Sequence, residues 1–149
     1  MRGTAGAAGS GVMALCYTTR AVKLTELGHV SLFVRDLEAA LRFYRDLLGL
    51  RETGRGKGGR IAFLSAGVHH HDVSLEVARA TGERPARGAP GLYHIAFRVA
   101  GTAGDLAAAR REAEGHGLVP FGEMAGATPS FCVKDPDGNE IELYVDPAG

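Results

Sequence analysis

From Leu27 onward the apolar and polar positions follow two rhythms. The first is an alternation: in His29-Val30-Ser31-Leu32-Phe33-Val34, the residues Val30, Leu32 and Val34 share one face, and His29, Ser31 and Phe33 share the other. The second is helical: Leu37, Ala40, Leu41, Tyr44, Leu47 and Leu48 recur at i, i+3 and i+4 spacing. Asp36 offers an N-cap in front of them, and Gly49 a stop behind them. Short strands are expected at 50–53, 61–65 and 72–77, with a Gly/Arg/Lys loop at 54–60. The order is β-α-β-β-β.

After a Pro/Gly/Arg linker at 79–91 the same order returns. Residues 92–99 read as a strand, 105–117 as an alanine-rich helix, and 118–121 and 130–134 as strands. Asp135-Pro136-Asp137-Gly138-Asn139 is a strong turn signal. In the closing strand at 140–145, Glu140, Glu142 and Tyr144 share one face, and Ile141, Leu143 and Val145 the other. The expected fold is α+β, with two βαβββ units whose polar faces line a curved, cup-shaped mixed sheet and helices on the outside. We place unit one at 26–78 and unit two at 92–146 within a single domain at 25–149. Residues 1–24 are expected to form a disordered Gly/Ala-rich arm.

Composition narrows the classes. Seventeen basic side chains balance 17 acidic ones among 149 residues, so nucleic acid is not an expected partner. No apolar run reaches the roughly 20 residues that span a bilayer, and we read neither a membrane partner nor a signal peptide. Cys16 and Cys132 are far apart and form no CxxC pair, which suits a reducing, cytoplasmic setting.

The candidate chemistry lies on the polar strand faces. His94 stands 65 residues after His29, at the equivalent start of an equivalent strand. Glu142 is in phase on the closing strand. Two imidazoles and one carboxylate suit a divalent ion with open positions, whether Fe, Mn, Zn or Ni. The alternative is a set of hydrogen-bonded or solvated side chains, the commoner fate of a single strand histidine. For substrate contacts we name Phe33 and Phe131 as apolar walls, Arg98 as an anion partner and Tyr144 as a wall or hydrogen-bonding group, each with packing or a salt bridge as its rival. His116 closes a helix and reads as a solvated residue facing the helix dipole.

GHVSLFVRDLEAALRFYRDLLGL, GLYHIAFRV and DPDGNEIELYVD resemble the vicinal oxygen chelate superfamily over about residues 26–146. This group includes glyoxalase I, type I extradiol dioxygenases, fosfomycin-resistance thiol transferases and metal-free bleomycin-binding proteins. The resemblance implies metal ligands at His29, His94 and Glu142. Where glyoxalase I usually adds a fourth ligand, this chain has Ser74; Glu76 lies two residues on, about 6–7 Å further along the strand. A three-ligand site is expected. AFLSAGVHHHDVSLEV looks closest to single-domain catechol-dioxygenase-like members and places His70 or His71 near the pocket mouth, with His71 the candidate catalytic residue. Met124 and Ala125 stand where ring-cleaving relatives often carry an Asp-His pair, and Cys132 where they carry a tyrosine. The expected activity is extradiol-type oxygenation of a small catechol or other vicinal-oxygen substrate by a homodimer. A fosfomycin-type thiol transferase is the alternative enzyme, and a drug-binding protein the non-catalytic alternative.

Overall fold

The computed structural model describes residues 23–146 apart from 81, 84 and 87. Most of the expected arm, Cys16 and part of the linker lie outside the described residues.

Unit one opens with β1 (Val30–Val34). Asp36 then caps α1 (Leu37–Leu41), its Oδ1 accepting the backbone N–H groups of Glu38 at 2.9 Å and Ala39 at 3.1 Å. The helix continues as a wider π turn over Arg42–Leu47, with the Leu48 N–H reaching back to the Phe43 carbonyl at 3.0 Å. Phe43 and Tyr44 are both buried there. β2 (Arg51–Gly56), β3 (Ile61–Ser65) and β4 (Val73–Val77) complete a sheet of order β1-β4-β3-β2. β2 runs further into the expected loop because Arg55 and Gly56 pair with Ala62 and Ile61.

Unit two repeats this plan with β5 (His94–Arg98), α2 (Ala103–Gly115), β6 (Phe121–Met124), β7 (Ser130–Lys134) and β8 (Glu140–Tyr144), in the order β5-β8-β7-β6. α2 begins two residues before the expected start. Thr102 is its N-cap, and the Asp105 carboxylate accepts the Thr102 N–H at 2.7 Å in a capping box. In both units the first and last strands are parallel and the remaining pairs antiparallel.

The expected α+β fold with two βαβββ units is present. Among the described residues no strand pairing joins the two sheets, so they remain two separate four-stranded sheets. What unites them is one hydrophobic core, holding Leu32, Val34 and Leu75 of unit one together with Val133, Ile141 and Leu143 of unit two. Leu41 and Tyr44 from the first helix, and Leu106 and Ala113 from α2, fill it. The strand faces opposite this core therefore turn away from it. Phe33 accordingly stands 68% exposed and Ala96 exposed.

Phe131 belongs to the core and not to a pocket wall. It is paired with Leu143, is 2% exposed, and shares the aliphatic face. Its strand phase is fixed by Cys132, which stands opposite Glu142 and takes the polar face.

The turn before β8 is tied to unit one through Asp135, which is buried. Its Oδ1 accepts the N–H groups of Asp137 at 3.0 Å and Asn139 at 2.7 Å. Its Oδ2 accepts the Asn139 side-chain amide and the Tyr44 hydroxyl, both at 2.8 Å. Burial, then the Asp135 carboxylate, pushes the Tyr44 phenol far above its ordinary range, so it stays a donor. Gly138 supplies the positive φ of 81° that the turn requires.

Candidate metal centre

The polar face of unit two is built from three neighbouring strands. His94, Ala96 and Arg98 of β5 stand beside Glu140, Glu142 and Tyr144 of β8. Cys132 and Ser130 of β7 stand on the far side of Glu142 and Tyr144. His94 reaches diagonally from its backbone position to place Nε2 3.3 Å from Glu142 Oε2. The Tyr93 ring leans on His94 with centroids 4.7 Å apart.

A separation of 3.3 Å suits adjacent ligands of one ion, because donors each about 2.1 Å from a metal at tetrahedral or octahedral angles stand about 3.0–3.4 Å apart. The pair thus fits a divalent ion on geometry and on donor type. Among the described residues, no three His, Cys, Asp or Glu side chains are gathered as a metal group. Two of the three expected ligands are together within the chain.

His29 stands instead with the histidines of the β3–β4 loop. Its ring centroid is 4.5 Å from that of His71, and His71 lies 5.0 Å from the Phe63 ring. The Nδ1 atoms of His70 and His71 are 2.9 Å apart, so one donates while the other accepts. Burial, followed by the positive fields of His29 and His70, lowers the His71 pKa and favours its neutral, proton-accepting form. His69 is anchored at 2.8 Å to Asp72, whose other oxygen accepts the Ala66 N–H at 2.7 Å.

Ser74 occupies in unit one the place that Glu142 holds in unit two, and its Oγ is 2.6 Å from Ser31 Oγ. One hydroxyl donates to the other. Glu76 is taken up by Lys57 at 2.6 Å, and that hydrogen bond holds its carboxyl below the usual range.

Phe33 and Tyr144 lie on the polar faces, Phe33 exposed and Tyr144 half-buried. Arg98 is in phase with His94, but its guanidinium is exposed and pairs with Asp146 at 2.9 Å. His116 closes α2 and pairs with Glu112 at 3.2 Å, away from the site. Met124, at the end of β6, and Ala125 are exposed. Cys132 is a free, half-buried thiol, and burial, then Glu142 and Glu140, pushes its pKa up. It is a protonated neighbour of Glu142 rather than a thiolate.

A family model described as the Glyoxalase/Bleomycin resistance protein/Dioxygenase superfamily matches residues 26–143. The chain belongs to this superfamily. It is 32% identical over 123 residues to the catechol-2,3-dioxygenase of Bacillus subtilis (strain 168), covering 82% of this chain and 42% of that protein. It is equally 32% identical over 122 residues to the glutathione transferase FosA of Serratia marcescens, covering 82% of both chains. The chain spans between 37% and 63% of the length of the curated dioxygenases it matches. In fold it matches the crystal structure of a glyoxalase/dioxygenase from Nostoc punctiforme, with a TM-score of 0.73 at 20% identity over 88% of this chain and all of that one. No helix among the described residues is long and apolar enough to cross a membrane.

Proposed function

We propose that this protein is a divalent-metal-dependent enzyme that chelates a small substrate through vicinal oxygens, with extradiol-type cleavage of a catechol as its reaction and Fe(II) as its favoured ion. The observation that carries the reading is the His94–Glu142 pair, 3.3 Å apart on the polar face of unit two. His29 is the proposed third ligand. It stands against His71, which packs on Phe63, the strand partner of Ser74 on the polar face of unit one. A homodimer is the proposed assembly, with unit one of one copy facing unit two of the other, in a reducing, cytoplasmic setting. The bound ion would supply Lewis acidity and redox capacity.

The chain's own groups bind, orient and exchange protons. His71, held neutral beside His29, is the proposed proton acceptor for a substrate hydroxyl. Tyr144 and the exposed Phe33 flank the site as substrate contacts. Arg98 serves an anionic group only when it is released from Asp146.

Thiol transfer is the second reading. It is favoured by the match to the Serratia transferase, which covers most of both chains, and by Met124, Ala125 and Cys132 standing where ring-cleaving relatives carry acid–base groups. A non-catalytic binder is the third. The test joins metal analysis after reconstitution with oxygen uptake across a catechol panel. A stoichiometric ion and catechol-dependent uptake are expected. A bound ion with no uptake, but thiol-dependent loss of fosfomycin, transfers the assignment to the second reading. Failure to hold any divalent ion sinks both enzyme readings.

A further inference from the structure

Ser130 Oγ is the buried side-chain polar atom without a hydrogen-bond partner among the described residues. The residue is 4% exposed. A buried hydroxyl left unpaired costs about 1–3 kcal/mol, so its retention calls for a reason. Valine or alanine would fill a strand position without that cost.

Its place supplies the reason. Ser130 shares a face with Cys132 and Glu142, and its strand partners are Tyr144 on β8 and Met124 on β6. Arg98 is the partner of Tyr144 on the other side. The polar face of unit two therefore has two adjoining rows. One holds Ala96, Glu142 and Cys132; the next holds Arg98, Tyr144 and Ser130. Two residues along a strand separate such rows by about 7 Å. The second row ends in two hydroxyls, with the Arg98 charge matched by Asp146.

We propose that Ser130, with Tyr144 beside it, is a distal hydrogen-bonding subsite that takes an acceptor oxygen carried by the substrate about 7 Å from its chelated oxygens. A carboxylated catechol has this shape; catechol itself does not. The inference rests on the chelation reading, in which the vicinal oxygens sit at His94 and Glu142. Ser130 is reached when one of its long neighbours, Tyr144 or the 58% exposed Met124, changes rotamer.

The experiment compares catechol with 3,4-dihydroxybenzoate by calorimetry on Zn(II)-loaded protein, which holds the ligand without turnover. Wild type is expected to favour the carboxylated ligand by about tenfold, the effect of one hydrogen bond. Ser130→Ala should erase that preference and leave catechol affinity unchanged. Ser130→Thr, which keeps the hydroxyl, should retain part of it. Thermal melting of the unliganded Ser130→Ala protein should be unchanged or raised, since no partner is lost. Lowered melting, or equal weakening of both ligands, assigns Ser130 a structural role and overturns the proposal. Catechol binding without any carboxylate preference overturns it alone. If catechol does not bind at all, the chelation reading fails and this inference falls with it.

Discussion

The two units present the same strand order and different chemistry. In unit one, the polar-face positions of β1 and β4 hold Ser31, Phe33, Ser74 and Glu76. The equivalent positions of β5 and β8 hold Ala96, Arg98, Glu142 and Tyr144. Ser74 is closed off by its 2.6 Å contact with Ser31, while Glu142 faces His94. Duplicated topology thus reproduces the scaffold and the strand registers, but leaves each side chain free to diverge. On one sheet a carboxylate, Glu142, faces a histidine; on the other, Glu76 is taken up by Lys57 and the histidines cluster by themselves.

The comparison can be broken most sharply at its equivalent positions. Glu142→Gln keeps the shape but removes the charged ligand. It is expected to weaken Zn(II) or Mn(II) binding by more than about 100-fold, beyond the 10–100-fold typical of outer-shell partners, with the fold retained by circular dichroism. Ser74→Ala should cost about 1 kcal/mol through the lost hydrogen bond and leave metal affinity unchanged in titration. Equal metal loss from both changes would mean that the two sheets contribute alike.

A second measurement probes what joins the units. Tyr44→Phe deletes the one donor that the first helix gives to Asp135. A hydrogen bond to a buried charge is worth about 1.5–3 kcal/mol, so melting should fall by roughly 5–8 °C. If melting is unchanged, this hydrogen bond adds nothing to the shared hydrophobic core and the Arg35–Asp137 ion pair that also link the units.

The smallest expected effect is electrostatic. The hydrogen bond that His69 gives to the Asp72 carboxylate, aided by Glu26, raises the pKa of His69. A group whose folded pKa is raised stabilises fully below its unfolded value of about 6.5 and loses that contribution as pH rises through the folded value. Wild type should therefore exceed His69→Gln in melting temperature in mild acid, and the gap should shrink toward alkaline pH. A gap that widens with pH would reverse the assignment.

Much of this was legible from alternation and capping. The phase of His29, His94 and Glu142 followed from period two, and Asp36 and Gly49 bounded the first helix. Thr102-Ala103-Gly104-Asp105 carried a capping-box signal that explains the earlier start of α2. Phe131 was misplaced because a short apolar strand can be read in either phase. Only the register of Cys132 against Glu142 turns Phe131 into the core. Asp135 read as a turn residue, since a turn motif carries no information about a tyrosine 91 positions away.

By itself the sequence determined the two βαβββ units, the polar and apolar faces of the strands that carry His29, His94 and Glu142, and the residue types available for chemistry, because these depend on local periodicity and side-chain identity. Tertiary structure decided how the faces are spent. Both apolar faces had to be buried, and they were buried in one common core, which turned the polar faces outward. Pairing of β8 beside β5 brought Glu142 to His94, and the β3–β4 loop set His71 against His29, a division that no spacing along the chain encodes.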